Sequence, residues 1–233
     1  MIHIRCDKEK ISRLGLLCGD SNRTKLIAEK YLDSWELINE YRGLLAYTGY
    51  FKGKRLSVVT TGMGAPSACI VLEELIQAGA EVLIRVGTCG AVKENIQIGD
   101  LIIPTCAVPL VGILKNYGIE TLPAQPDFEV LSKLVESTKV IPCSYHIGLI
   151  CSSDAFYKEK EESLLWADKG VLAFEMECAG IFGIGYLRGI KTAAILTVVD
   201  KISDTQEYDP EDYKIKQAIE RSIEVALSTI IKF

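Results

Sequence analysis

The segment 192–199, Thr-Ala-Ala-Ile-Leu-Thr-Val-Val, is almost wholly apolar and stops abruptly at Asp200. A run this short, with no alternation of polar and apolar residues, reads as a strand covered on both faces. A sheet held between two layers of helices requires such strands. Further short apolar strands are expected at 13–18, 81–85, 101–105, 146–151 and 171–174, and a hairpin at 44–51 and 54–60 around Lys52-Gly53. Helical patterns separate them. One runs from Gly19-Asp20-Ser21-Asn22 to about Leu32, and one carries Cys69, Leu72, Leu75 and Ile76 at helical spacing. Others lie near 127–138 and over 159–169, 176–188 and 208–231. Gly87-Thr88-Cys89-Gly90 reads as a turn. The stretch 104–126, with Pro104, Pro109, Pro123 and Pro126, reads as loop-rich. This alternation predicts an α/β fold, a three-layer α/β/α sandwich with a central mixed sheet. The 233 residues show no linker and no internal repeat, so one domain over 1–233 is expected.

Charge and cysteine usage exclude several function classes. The formal net charge of −5 gives no general attraction for nucleic acid or an anionic membrane, so an anionic ligand must be held by a local cluster of positive groups. The eight cysteines form no C-x-x-C pair, and His3 and His146 are the two histidines, so no metal site is expected. Most of the cysteines lie in apolar runs, where they act as small core residues, which suits a cytoplasmic protein. The first residues lack the apolar stretch of a signal peptide, and no apolar run approaches the length of a membrane span.

Four segments carry residues suited to chemistry. In Gly19-Asp20-Ser21-Asn22-Arg23, a glycine at a strand end lets backbone N–H groups approach an anion, and Arg23 adds a charged fork; taken alone, the commoner reading is a plain turn with a surface arginine. Arg85 follows an apolar strand, and a charge so near the core needs a partner. That partner is either a structural carboxylate or a bound oxyanion, to which Thr88 would donate its hydroxyl. Glu175-Met176-Glu177 stands where a strand passes into a helix. The acids suit the start of a helix, and Glu177, with two carboxylate oxygens, also suits the adjacent hydroxyls of a sugar. Asp200, at the mouth of a buried strand, fits a solvated loop acid, a helix cap or a general acid of raised pKa. Ligands of open α/β sheets bind at the carboxyl ends of the strands, where these segments fall.

Taken together, six strings resemble the nucleoside phosphorylase-I family in its hexameric purine nucleoside and methylthioadenosine phosphorylase branch. They are Gly19-Asp20-x-x-Arg23, Asn39-Glu40-Tyr41-Arg42-Gly43, Gly62-Met63-Gly64-x-Pro66-Ser67, Arg85-Val86-Gly87-Thr88-Cys89-Gly90-Ala91, Ser152-Ser153-Asp154-x-Phe156-Tyr157 and Glu175-Met176-Glu177. The resemblance implies a pentosyltransferase that uses inorganic phosphate as co-substrate, with no cofactor and no metal. It implies that Gly19, Arg23, Arg85 and Thr88 bind phosphate, joined by Arg42 of a neighbouring subunit. Met63, Met176 and Glu177 would hold the ribose, and a neighbour's His3 would reach its 5′ end. Cys89, Gly90, Phe156 and Phe174 would line the base pocket, with Asp200 facing N7 of the purine. Sites shared in this way imply a homo-oligomer, in this branch a hexamer built as a trimer of dimers.

The chain departs from that pattern after the acid. Bacterial-type purine members carry an arginine there, whereas 201–220 contains none. Lys214 and Lys216 are the candidates to replace it, and Val199 stands where a serine often precedes the acid. Uridine phosphorylase is the nearest alternative. That branch usually reads the pyrimidine from an insertion before Glu-Met-Glu, for which 158–173 is too short, and it lacks an acid matching Asp200. A nucleosidase would use water and would not need Arg23, Arg42 and Arg85. A non-catalytic nucleoside-binding or storage relative would be expected to lose phosphate or ribose residues, and none is lost.

Overall fold

The computed structural model describes residues 1–202, 209 and 212–233, without the side chains of 159–162 and 164. Strand β1 (Leu14–Cys18) ends at Gly19. Helix α1 (Ser21–Tyr31) follows, capped by the Asp20 carboxylate, which accepts from the N–H groups of Asn22 and Arg23. Next comes β2 (Asp33–Asn39), a strand absent from the expected set. Its first five residues are exposed, so no buried run marks it. The expected hairpin is present as β3 (Ala46–Phe51) and β4 (Lys54–Thr60). Lys52 and Gly53 have φ of 48° and 77°, the positive values that a two-residue hairpin turn demands. The remaining elements are α2 (Ala65–Gln77), β5 (Val82–Ala91), β6 (Leu101–Leu110), α3 (Ile113–Asn116), α4 (Phe128–Lys139), β7 (Tyr145–Ser153), α5 (Glu159–Asp168), β8 (Ala173–Glu175), α6 (Cys178–Arg188), β9 (Lys191–Lys201) and α7 (Tyr213–Ile230). The expected start of the last helix at Tyr208 lies outside the described residues.

The strands form one mixed sheet in the order β2-β3-β4-β1-β5-β8-β7-β6-β9, and β9 also pairs with β5, so the half beyond β5 closes on itself. Alternation along the central strands builds the two outer layers. Leu17, Leu83, Ala194, Leu196 and Val198 face the side covered by α2, α3 and α6. Leu16, Cys18, Ile84, Ala193 and Ile195 face the side covered by α1, α4 and α7. Both faces are covered, which is why these strands read as continuous apolar runs. The three-layer sandwich with a mixed central sheet is therefore the observed fold.

Two expectations for the loops are corrected. Gly87-Thr88-Cys89-Gly90 is not a turn: β5 runs on to Ala91, held by β9 on one side and by β8 at Gly90 and Ala91 on the other. Likewise 104–110 is strand, not loop. Pro104 and Pro109 fit because β6 meets β9 only at Leu101 and Ile102, and a register shift follows Pro104, so neither missing N–H breaks a ladder on that side.

Candidate active site

The site grows from the carboxyl ends of β1, β5, β8 and β9. Cys18 and Gly19 end β1, and the Cys18 carbonyl accepts from Thr61 N–H at 2.7 Å, which brings the Gly62–Ser67 turn against Gly19. Gly62 and Gly64 have φ of 71° and 86°, values that L side chains rarely adopt, so glycine is required there. A Cβ on Gly19 would lie 3.4 Å from the Gly62 carbonyl and 3.8 Å from Nη1 of Arg85.

Arg85 sits inside β5 with its side chain 4% exposed. Its Nε donates to Glu175 Oε2 at 3.2 Å, and its Nη2 pairs with Glu177 Oε2. Nη1 is buried and has no partner among the described residues, and it is this nitrogen that faces Gly19. The structural alternative for Arg85 is present: two of its nitrogens are in buried ion pairs, and the third is unpaired. Burial works against the charge, but the Glu177 and Glu175 carboxylates outweigh it and raise the guanidinium pKa. Arg23, 9% exposed, reaches the same place from α1, with Nη1 donating to the Val86 carbonyl at 3.2 Å.

Glu175, which in the sequence suits only the start of a helix, is in the structure the partner that fixes Arg85. It is buried and accepts from Arg85 Nε, from the N–H groups of Glu177 at 2.9 Å and Cys178 at 2.9 Å, and from the Ser152 hydroxyl. The available signal was the second acid of Glu-x-Glu, since two buried carboxylates so close need a buried cation. Glu177 precedes α6 but makes no side-chain cap. Instead its Oε1 accepts from Gly64 N–H at 2.5 Å, tying the Met63 turn to the anion cluster. Burial first, then the neighbouring Glu175, raise the Glu177 pKa against the pull of Arg85.

Asp200 lies within β9, not after it, opposite Gly90. A register shift falls between Cys89 and Gly90, because Cys89 pairs with Val198 and Gly90 with Asp200, which leaves Val199 as the extra residue of a bulge. A bulge re-aims the side chain beside it. Here the Asp200 carboxyl lies over Gly90, with Oδ1 2.8 Å from where a Cβ on Gly90 would stand. Burial raises the Asp200 pKa. Arg221 lies close enough to Cys143, ahead of β7, to pull its thiol pKa down against the burial that raises it. The Cys89 thiol, its pKa raised first by burial, also feels Glu175, Asp200 and Arg85, which puts Asp200 and the Arg85–Glu175 pair on one patch, with Thr88 half-buried beside it.

The other expected residues divide. Met63 and Met176, next to the paired Gly64 and Glu177, are 84% exposed and half-buried, and Phe156 is 55% exposed with its ring edge-on to Tyr157. Phe174, 1% exposed, is packed with Cys151 and Val171 and offers almost none. Arg42 is exposed in the turn Tyr41–Gly43 with φ 61°, two residues before Leu44, whose Cδ2 would lie 3.8 Å from a Cβ on Gly62. His3 is held by Glu74 near the far end of α2, with Nδ1 2.9 Å from Oε1. Ten residues of helix at 1.5 Å each put Glu74 roughly 15 Å from Gly64, so the structure does not bring His3 to its own chain's site.

A cavity of about 610 Å³ lies elsewhere, at the amino ends of β1, β5 and β9. Two of its cations are already neutralised, Arg13 by Glu81 and Lys191 by Glu129, so it lacks the unpaired buried donor that marks the patch around Arg85.

The comparisons agree with this geometry. A purine nucleoside phosphorylase of the DeoD type from Clostridium novyi is 39% identical over 209 residues, spanning 88% of this chain and 89% of the relative. A guanosine phosphorylase from Halorubrum lacusprofundi is 33% identical over 236 residues, spanning 98% and 97%. The crystal structure of uridine phosphorylase from Vibrio fischeri superposes with a TM-score of 0.93 at 33% identity, covering 99% of this chain and 97% of the other. The family model of the phosphorylase superfamily matches residues 13–232, which include the whole sheet and the residues from Gly19 to Asp200 assembled above. With that sheet, that buried arginine and those relatives, the chain belongs to the phosphorylase superfamily, in its nucleoside phosphorylase-I family.

Proposed function

We propose that the protein is a purine-nucleoside phosphorylase: it cleaves the N-glycosidic bond of inosine, adenosine, guanosine or 5′-methylthioadenosine with inorganic phosphate, releasing the base and a ribose-1-phosphate or its 5-methylthio form. One observation carries the reading: the buried Arg85 keeps Nη1 unpaired toward Gly19 while its other nitrogens are fixed by Glu175 and Glu177. A buried donor left without a partner is costly, and an oxyanion at Gly19 removes that cost.

The chemistry follows from charge. As the C1′–N9 bond breaks, positive charge grows on the ribose and the bond's electron pair passes to the base. A phosphate oxygen held by Arg23, Arg85, Thr88 and the Gly19 turn stabilises the first charge and bonds to C1′. Glu177 orients the ribose through its hydroxyls, with Met63 and Met176 against the sugar. The raised pKa of Asp200 keeps its proton available for N7 of the leaving purine. Catalysis then rests on positioning and preorganised charge, with no cofactor. Cys89, Gly90 and Phe156 line the base side, backed by Phe174.

The distance of His3 from its own chain's site supports a site completed by a neighbour, to which Arg42 would also contribute, hence a homo-oligomer, for which a hexamer made as a trimer of dimers is the assembly we infer. None of the eight cysteines is in a disulfide, which favours a reducing, cytoplasmic setting. No helix among the described residues is long and apolar enough to cross a membrane. The likeness to uridine phosphorylase favours uridine as a second reading. Incubation with inosine, adenosine, guanosine, methylthioadenosine and uridine, each with and without phosphate, separates them. Purine release that requires phosphate and yields the sugar phosphate is expected. Uridine cleavage alone would replace the purine reading, and release without phosphate would overturn both.

A further inference from the structure

Between β2 and β3 the chain turns through Glu40-Tyr41-Arg42-Gly43-Leu44. Two backbone hydrogen bonds close the turn, from Gly43 N–H to the Glu40 carbonyl at 3.1 Å and from Leu44 N–H to the Tyr41 carbonyl at 3.2 Å. Arg42 sits inside it with φ 61° and ψ 19°, and Gly43 follows with φ 73°. Glycine adopts such values freely, whereas arginine does so only where its surroundings enforce them. The Arg42 guanidinium has no hydrogen-bond or ion-pair partner among the described residues, so its own tip does not enforce the turn.

The enforcement comes from Asn39, the last residue of β2, only 5% exposed. Its Nδ2 donates to the Leu44 carbonyl at 2.6 Å, across the mouth of the turn. Its Oδ1 accepts from the Arg5 N–H at 2.8 Å. The Arg5 guanidinium then lies over the Tyr41 ring, with Cζ 3.4 Å from the ring centre. A side chain in this place must donate on one side and accept on the other, which an amide does and a carboxylate cannot. Asn39 thus joins three pieces of chain: the end of β2, the far end of the turn and the segment at Arg5.

We propose that Asn39 is a positioning residue for the phosphate site: by bridging Arg5 and Leu44 it holds Arg42 in the left-handed conformation from which its guanidinium meets phosphate. The inference rests on the reading above, in which Arg42 serves phosphate in a neighbour's site. Asn39 itself touches no substrate and acts through the backbone of the turn.

The test uses the full-length assembled protein and reads KM for phosphate and KM for inosine separately. N39D is the informative change, because it keeps the shape and the bond to the Arg5 N–H but puts an acceptor against the Leu44 carbonyl. R42A is the reference and is expected to raise the phosphate KM roughly 10- to 100-fold, the range for a hydrogen bond to a charged group. N39D is expected to raise it about fivefold to tenfold, with kcat at saturating phosphate and the inosine KM within about twofold of the wild type. The double variant should match R42A alone, since Asn39 acts only through Arg42. An unchanged phosphate KM in N39D, an equal rise in both KM values, or a double variant much worse than R42A would each overturn the positioning role. If R42A itself leaves the phosphate KM unchanged, Arg42 is not a phosphate residue and this proposal falls with it. The phosphorolysis reading is separate, because phosphate-dependent base release by the unaltered protein decides it. Should N39D fail to fold, Y41L removes the ring beneath Arg5 without changing charge. A rise in phosphate KM alone of about twofold to fivefold is expected there, and an unchanged value would refute the clamp.

Discussion

Arg85 and Glu175 are joined through Nε and Oε2 at 3.2 Å, with side chains only 4% and 1% exposed. This bond fixes the plane of the guanidinium, and the plane decides that Nη1, not Nη2, faces Gly19. Glu175 accepts from four donors and has no donor of its own to offer. Glu175→Gln brings an amide NH₂ into that ring of donors and removes one of the charges that balance Arg85. We expect a stability loss of about 2–4 kcal/mol and a larger KM for phosphate than for nucleoside. Denaturant titration and initial rates at varied phosphate measure both. An unchanged phosphate KM would mean that Glu175 does not aim Arg85.

Gly19→Ala tests the anion position directly. The added Cβ stands 3.8 Å from Arg85 Nη1 and 3.4 Å from the Gly62 carbonyl, so it takes the space an oxyanion would use at modest strain. The expected outcome is a rise of about tenfold or more in KM for phosphate, with a loss of stability under about 1 kcal/mol. Phosphate should also stop protecting the variant against thermal unfolding, since a ligand stabilises only what it binds. Undiminished protection by phosphate would place the anion elsewhere.

Much of this arrangement is legible in the sequence, and the failures have physical causes. The 192–199 run announces a strand buried on both faces because composition alone records two-sided burial. The Gly62–Ser67 turn is equally plain, since positive φ selects glycine locally. By contrast, Gly87-Thr88-Cys89-Gly90 has the local chemistry of a turn and is held as strand only by pairing with β8 and β9, partners more than eighty residues away. The bulge at Val199 is silent for the same reason. Strand β2 escapes notice because it lies at the sheet edge with its first half in solvent. Glu175 shows the limit most clearly. An acid before a helix looks like a favourable helix start, and only the packing reveals that it binds an arginine ninety residues earlier.

Gly90→Ala probes the acid without touching its chemistry. A Cβ there would stand 2.8 Å from Asp200 Oδ1 and 2.8 Å from Ile202 Cγ1, so the carboxyl must move away from the strand. A displacement of that size at a reacting group is expected to lower kcat by roughly 10²-fold while phosphate affinity holds. A kcat within about twofold of the wild type would show that Asp200 does not need its place over Gly90.

Asp200→Asn separates proton transfer from hydrogen bonding. The amide can still donate to N7 but has no proton to give up, so kcat is expected to fall by about 10²–10⁴. The pH dependence carries the sharper prediction. Burial raises the Asp200 pKa, so the wild type loses its acid as pH rises through that raised value. Phosphate ionises identically in both assays, so the ratio of wild-type to variant kcat/KM isolates the side chain, and it should fall steadily toward alkaline pH. Stability moves by the same linkage. A carboxyl held protonated in the folded state contributes most below its unfolded pKa, and that contribution is lost as pH climbs through the folded value. The melting temperature of Asp200→Asn should therefore gain on the wild type as pH rises above the unfolded carboxyl's pKa of about 4 and through the raised folded value. A rate ratio that stays flat over that range would remove Asp200 as the acid, whatever the size of the drop in kcat.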